Sequence, residues 1–342
     1  MSSASDLRVG VVGLGFGAVH ARVLGELDGV RLAAVCDTNA ERLATVAQGR
    51  DLATYVDHVA MLERERLDAV IVAVPATLHA QVALAAIGAG CAVLVEKPLA
   101  PSLAEGACLV EAAAAAGVAL MAGHIERFNP AVQALARLVH AGEIGRVLQL
   151  TARRMGPIIV RAQDVNVVHD SALHDIDVMR YVVAAEVETA FAQAQTGLLP
   201  PFEDSIFGVL RFAGDGGPGP IASLDVNWRA PRRVRDLTVL GENGLLVLDY
   251  AAQTLDLYRG EGAWTRPAAS PGWSPANGGE GMRIAVTPAE PLRQELAAFV
   301  AALRDGAPMP VSGDDALAAL AIADALAESA RTGLPVRPSR GD

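Results

Sequence analysis

At 342 residues, with 52% hydrophobic and 20% charged side chains, the chain has length for about two domains and can bury a large core, which excludes a disordered or collagen-like protein. Against 39 acidic residues stand 28 basic ones, a net charge of −11. No nucleic-acid partner is expected from that balance, whereas a small anionic ligand needs only a local cluster of donors. Cys36, Cys91 and Cys108 are too scattered for a disulfide framework or a metal site. Met1–Arg8 carries no secretory pattern, and the apolar stretches Ala80–Val95 and Ala112–Gly123 fall short of the roughly 18 residues of a membrane span. A soluble, cytoplasmic protein without a membrane partner is expected.

Short apolar runs and helical patterns alternate through the first third. Strands are expected at Arg8–Val12, Arg31–Cys36, Ala69–Val74, Ala92–Val95 and Val118–Ala122. Between them, helices are expected from the glycine-rich turn to about Leu27, then at Ala40–Gln48, Leu78–Ala89 and Ser102–Ala116. Strands apolar on both faces and alternating with helices mean βαβ units and a doubly wound parallel sheet.

After about Gly123 the texture changes. Helices are expected at Pro130–Ala141 and Leu173–Val183, with a strand at Val147–Arg153. Strand-like segments then follow one another: Glu188–Gln195, Ser205–Phe212, Ile221–Trp228, Asp236–Gly241, Leu245–Asp249 and Leu255–Tyr258. Strands without intervening helices favour an open, mostly antiparallel sheet. Pro267–Gly281 reads as a loop. Two helices close the chain, the first opening on the capping box Thr287–Glu290 and the second on Ser312 and Asp315. The division is therefore a Rossmann domain at 1–123 and a second α/β domain at 124–342, whose terminal helices can pack back on the first.

The segment Gly13-Leu14-Gly15-Phe16-Gly17-Ala18 joins the first strand to the first helix. Gly13 allows the tight turn, Gly15 lets backbone amides approach a pyrophosphate, and the helix N-terminus faces the anion. Asp37 ends the second strand, where a carboxylate accepts the ribose hydroxyls and repels a 2′-phosphate. It also fits a helix N-cap, as do Thr38 and Asn39. NAD is favoured over NADP, although Arg42 lies within reach of a phosphate.

Of the 28 basic residues one, Lys97, is a lysine and the rest are arginine. It stands in Glu96-Lys97-Pro98 just after the fourth strand, at the edge where such sheets form their ligand crevice. An ammonium there can hold a hydroxyl as it loses its proton, with Glu96 compensating the charge. The competing reading is a surface ion pair. The other dense cluster is Asp170-Ser171-Ala172-Leu173-His174-Asp175-Ile176-Asp177. On a helix Asp170 and His174 share a face, a carboxylate beside an imidazole that suits a general base. A metal reading lacks a third spaced ligand, and a helix cap with a satisfied histidine is the bland alternative.

Gly13–His20, Pro75-Ala76-Thr77-Leu78-His79, Glu96-Lys97-Pro98, Arg127-Phe128-Asn129-Pro130 and the Asp170–Asp177 cluster, in that order, resemble the signatures of the Gfo/Idh/MocA oxidoreductases over nearly the whole chain. The resemblance implies a Rossmann domain and an α/β domain whose sheet mediates assembly, here as a homodimer or homotetramer. It implies Lys97, Asp170 and His174 as the catalytic group, with His174 as acid/base. Pro75, His79, Glu96 and Lys97 would line the nicotinamide side, and Gly13, Gly15, Phe16, Gly17, Asp37 and Arg42 the rest of the cofactor. Gly123–Pro130 and Asp164–Val168 are similar to members that act on nucleotide sugars, of the UDP-N-acetylglucosamine 3-dehydrogenase type. The motif adds Arg127 and Asn129 as substrate contacts beside Lys97, Asp170 and His174, and Arg161, among the arginines before the Asp/His cluster, is a further candidate because a guanidinium fork suits diphosphate oxygens. Ala18 departs from the pattern, standing where many members carry a third glycine.

The expected activity is NAD-dependent oxidation of a ring hydroxyl, with no metal. The alternatives are an NADPH-dependent ketosugar or cyclitol reductase and a dinucleotide-sensing protein without turnover. Loss of Lys97 or His174 would mark the sensing protein, and both are present.

Overall fold

The structure, a computed structural model, describes residues 6–157, 165–197, 200–259 and 280–339. The chain divides into two compact units, one of Met1–Ile125 with Glu290–Ala321 and one of Glu126–Ala289 with Ile322–Pro338.

The first unit alternates β1 (Leu7–Val12), α1 (Gly17–Leu24), β2 (Val30–Cys36), α2 (Ala40–Ala47), β3 (Ala53–Tyr55), α3 (His58–Arg64), β4 (Ala69–Val72), α4 (His79–Gly88), β5 (Ala92–Glu96), α5 (Leu103–Ala116) and β6 (Leu120–Gly123). The described strands form one parallel sheet in the order β3-β2-β1-β4-β5-β6. Val9, Val11, Val35, Ile71, Val93 and Leu94 are fully buried, as strands covered by helices on both faces must be. Because every strand runs the same way, the loops after β1, β2, β4, β5 and β6 gather at one edge.

Local chemistry sets the helix ends. Asn39 caps α2 by accepting from the backbone N–H groups of Glu41 and Arg42, worth about 1 kcal/mol, which settles the choice among Asp37, Thr38 and Asn39. Ser102 caps α5 by accepting from the Glu105 backbone N–H, its hydroxyl donating in turn to Glu105 Oε2, and Gly117, with φ +66°, closes the helix.

Two described elements of this unit have no counterpart among the expected ones. The edge strand β3 is three residues long and nowhere fully buried, and α3 buries only Met61, so neither carries a strong apolar period. The third expected strand ends at Val72, two residues early, because a turn at Ala76–Leu78 precedes α4.

The second unit opens with α6 (Pro130–His140) and β7 (Val147–Met155). A single wide π-turn, Val168–Ala172, runs into α7 (Leu173–Val183). Then come β8 (Val187–Thr196), β9 (Glu203–Phe212), β10 (Ile221–Asn227), β11 (Val234–Gly241), β12 (Gly244–Asp249), β13 (Thr254–Arg259) and β14 (Glu280–Ile284). They pair in the order β14-β13-β12-β11-β7-β10-β9-β8, antiparallel throughout except for β10 on β7. The end of the expected Pro267–Gly281 loop is thus strand, with Glu280 and Gly281 pairing β13; its residues 267–279 lie outside the described set.

The chain closes with α8 (Pro291–Asp305) and α9 (Gly313–Thr332). The capping box expected at Thr287–Glu290 does not form. Helix α8 starts three residues later, with Glu290 at the N-cap and Pro291 in its first turn, and the Glu290 side chain pairs with Arg22. The second box does form, Ser312 and Asp315 bonding each other's backbone N–H at 3.1 Å. No described helix is long and apolar enough to cross a membrane.

Burial separates the thiols. That of Cys36 is pushed up to about 11, by burial first and then by the charges of Asp57 and Asp37, and burial raises Cys91 as well. Cys108 is exposed. A thiol reagent at about pH 8 is expected to titrate Cys108 alone in the native protein and all three after unfolding, since only the thiolate reacts. Prompt reaction of a second thiol would contradict this burial.

Candidate active site

At the carboxyl edge of the first sheet, Gly13 has φ +89°, and a Cβ there would sit 2.6 Å from the Ala73 carbonyl oxygen. Gly17 is pressed close to Val11 and Ala73, so α1 starts hard against the sheet. Gly15 is exposed and has no atom within 4 Å of where a Cβ would be. Phe16 is 40% exposed at the N-cap of α1 and makes no side-chain capping bond, which leaves first-turn N–H groups for an anion. Tight backbone behind and open space in front suit a pyrophosphate. Gly13→Ala is expected to lower the melting midpoint by the equivalent of more than 1 kcal/mol, from the left-handed φ and the clash together. An unchanged thermal melt would show that the loop relaxes.

Asp37 follows β2 and is buried. Its Oδ2 accepts from Leu14 N at 2.6 Å and its Oδ1 from Asn39 N at 2.7 Å, so it ties the glycine loop to the start of α2. Two carboxylate oxygens offer about four acceptor positions, which leaves capacity for ribose hydroxyls. Arg42 stands 3.5 Å from Asp37 Oδ2, 54% exposed.

The loops after β4 and β5 are joined by His79. It is buried, with Nδ1 2.7 Å from the Pro98 carbonyl and Nε2 2.9 Å from that of Val74. Pro75 is exposed at the start of the turn before α4. Glu96 ends β5. Its Oε1 accepts from His20 Nε2 at 2.8 Å and its Oε2 from the Lys97 backbone N–H at 3.2 Å. Burial works against its charge, but the His20 bond and the neighbouring His20, Lys97 and His79 hold the carboxyl below its ordinary range. Gly123 on β6 leaves room for it, since a Cβ there would lie 3.2 Å from Glu96 Cδ. Lys97, half-buried, therefore follows a fixed carboxylate at the end of a central strand.

The second unit holds its own polar cavity, lined by Arg154, Asp170, Ser171, Trp228, Arg233 and Arg235 among others. Ser171 Oγ donates to Asp170 at 2.9 Å and accepts from Trp228 Nε1 at 2.9 Å, which braces the π-turn against β10. His174 is half-buried in the first turn of α7. Wide π-turns of this kind occur frequently at functional positions.

Strand register explains the arginines. Arg154 on β7 and Arg235 on β11 are directly paired, on the face that also buries Ala152 with Leu237 and Leu150 with Val239. Like charges facing each other across strands are unfavourable unless compensated. Arg154 is compensated: Nε donates to Asp175 Oδ2 at 2.7 Å, Nη1 to Glu126 Oε1 at 3.2 Å, and the guanidinium lies over the Tyr250 ring. Burial opposes the Arg154 charge, yet Asp175 and Glu126 raise its pKa further. Arg235 has no such partner among the described residues, and its pKa is lowered by burial and then by Arg154.

Arg127 and Asn129 lie elsewhere. Arg127 is buried and forks onto Asp177, Nε to Oδ2 at 2.8 Å and Nη2 to Oδ1 at 2.6 Å. Asn129 caps α6 and gives its amide to the Tyr250 carbonyl at 3.0 Å. Neither lines the cavity. Arg161 and Asp164 lie outside the described residues. The sequence alone assigns no substrate contact to Arg154, Arg233 or Arg235. The signal was there for Arg154, in the alternation Leu150, Ala152, Arg154 along one strand face.

The glycine cradle and the residues around it belong to a nucleotide-dependent oxidoreductase. Two family models carry this further: one described as an oxidoreductase family with an NAD-binding Rossmann fold matches residues 7–124, and a Gfo/Idh/MocA C-terminal domain matches 132–247. The chain belongs to the Gfo/Idh/MocA oxidoreductase family. It is 32% identical to inositol 2-dehydrogenase 2 of Saccharopolyspora erythraea over 96% of its own length and 94% of the relative's. To UDP-N-acetylglucosamine 3-dehydrogenase of Acidithiobacillus ferrooxidans it is 35% identical, over 53% of this chain and 55% of that one. The fold is shared with levoglucosan dehydrogenase solved with NADH and L-sorbose, at a TM-score of 0.84 and 23% identity over 98% of this chain and 100% of the other.

Proposed function

We propose that the protein is an NAD-dependent dehydrogenase that oxidises a ring hydroxyl of a sugar, and that this sugar carries an anionic group, as a nucleotide sugar does. The observation that carries the reading is the cavity beside Asp170, where Arg233 and Arg235 stand beside Arg154, itself held by Asp175 and Glu126, in a chain of net charge −11. Arginine's planar fork suits diphosphate oxygens. A cyclitol is the second reading, favoured by the inositol dehydrogenase likeness along nearly the full chain.

Gly13, Gly15, Phe16 and Gly17 would hold NAD, which would supply the hydride acceptor. Lys97 donates a hydrogen bond to the reacting oxygen and stabilises its developing negative charge. His174 removes the hydroxyl proton, and Asp170 supports the imidazole as it becomes cationic. Arg127 and Asn129 serve by fixing α7 and α6. Asp37 selects NAD, since its carboxylate would face the 2′-phosphate of NADP. Exposed Phe207 and Val209, alternating outward on β9 at 62% and 49% exposure, support self-association through this sheet as a homodimer or homotetramer, which light scattering would read directly.

The test is nicotinamide absorbance with NAD and UDP-N-acetylglucosamine, with and without 2-oxoglutarate to recycle NADH, beside myo-inositol. Turnover of the nucleotide sugar supports the first reading and turnover of myo-inositol the second. Asp37→Ala is expected to narrow the preference for NAD over NADP by about tenfold, roughly 1.4 kcal/mol, read as the ratio of the two kcat/KM values. A ratio that does not move removes Asp37 from cofactor choice.

A further inference from the structure

Helix α8 packs against α1, and it buries the stripe Leu292, Glu295, Leu296 and Phe299 at the i, i+3, i+4, i+7 spacing of an apolar face. A carboxyl group breaks that stripe. Glu295 is 0% exposed, and neither of its oxygens has a hydrogen-bond partner among the described residues. On α1, His20 is likewise 0% exposed; its Nε2 is spent on Glu96, and its Nδ1 is buried with no partner among the described residues. Each is the buried titratable group of its helix.

These two sites are complementary in one protonation state. Glu96 is ionised, so His20 carries a proton on Nε2 and leaves Nδ1 as an acceptor. A protonated Glu295 is a donor. With the same proton on Nδ1, an imidazolium would lie between two carboxylates, three buried charges in place of one. Taking charges out of water is costly, so the arrangement with fewer charges is favoured. Burial and then the charge on Glu96 push the Glu295 carboxyl well above its ordinary range, in agreement.

We infer that Glu295 is a neutral carboxylic acid that donates to Nδ1 of His20 through one water, and so acts as a positioning residue for Lys97. The order of action runs from Glu295 to the His20 tautomer, from His20 Nε2–H to Glu96 Oε1, and from Glu96 Oε2 to the Lys97 backbone N–H. Leucine in place of Glu295 would fill the stripe but leave the imidazole free to change tautomer.

Because Lys97 is the chain's one lysine, lysine labelled with ¹⁵N at Nζ gives a single side-chain reporter. Three spectra of the full chain test the inference. Infrared absorption of the wild type should contain a protonated-carboxyl carbonyl band that disappears in Glu295→Gln. Ring ¹⁵N signals of His20, assigned by loss in His20→Gln, should show Nε2 protonated and Nδ1 unprotonated at neutral pH in both the wild type and Glu295→Gln. The Lys97 signal should shift in Glu295→Leu and stay in place in Glu295→Gln. The inference is overturned by an acid band that survives in Glu295→Gln, by a His20 ring protonated on both nitrogens, or by a Lys97 signal that Glu295→Leu leaves in place. Should Glu295→Leu not fold, the wild-type and Glu295→Gln spectra still decide it.

Discussion

Lys97→Met is expected to lower kcat by a factor of about 10² to 10⁴ while changing NAD affinity less than about threefold. The substitution keeps the length and apolar stem of the side chain and removes the ammonium. The Lys97 backbone N–H, which holds Glu96 Oε2, survives, so the bond between Glu96 and His20 and the end of β5 stay as they are. The loss then falls on the charge developing at the substrate oxygen rather than on the cradle built from Gly13, Gly15 and Gly17. Stopped-flow measurement of hydride transfer beside a fluorescence titration of NAD separates the two. Equal losses in rate and NAD affinity would make Lys97 a cofactor contact only. His174→Ala should behave in the same way, with a rate that no longer rises as the imidazole is deprotonated; near-normal turnover would remove it as the proton acceptor.

The second large effect is on stability. Arg127→Met takes from Asp177, 1% exposed, the two-pronged bond that both its oxygens accept. Breaking a buried pair from one side costs about 3–5 kcal/mol, which in a unit of this size lowers the melting temperature by on the order of 10 °C. The same side chain lies over the Tyr181 ring, so its loss also removes packing between α7 and the turn before α6. Restoring neutrality from the other side, with Arg127→Met and Asp177→Leu together, should recover much of the loss, as a double-mutant cycle would measure. A rise in sugar KM with an unchanged melting temperature would instead make Arg127 a substrate contact.

The sequence made local features legible, and features set by long-range pairing much less so. Gly13 announces itself because a left-handed turn needs glycine, and Asp37 and Lys97 because they follow apolar strands directly. Helix α7 falls where its periodicity puts it, Leu173–Val183. The arginine cavity is different. That Arg154 faces Arg235 depends on the pairing of β7 with β11, some 80 residues apart in the chain, and no local pattern encodes that register. The π-turn at Val168–Ala172 was equally hidden, since the same spacing of Asp170 and His174 reads as an ordinary helix. The capping box at Thr287 failed because a motif states only what a helix start could use; Arg22 offered Glu290 a stronger partner.

The first unit is not continuous in the chain, and this governs how the protein can be made. A ribosome that has released residues to Ile125 has supplied every strand of the parallel sheet but not the helix that covers α1. That helix arrives after some 165 further residues, a whole second sheet among them. Until then the face of α1 that α8 covers is open to water. The nascent nucleotide domain must therefore wait, partly assembled, for nearly the full length of synthesis. A fragment ending at Ile125 would carry every glycine of the cradle and still lack the wall behind it.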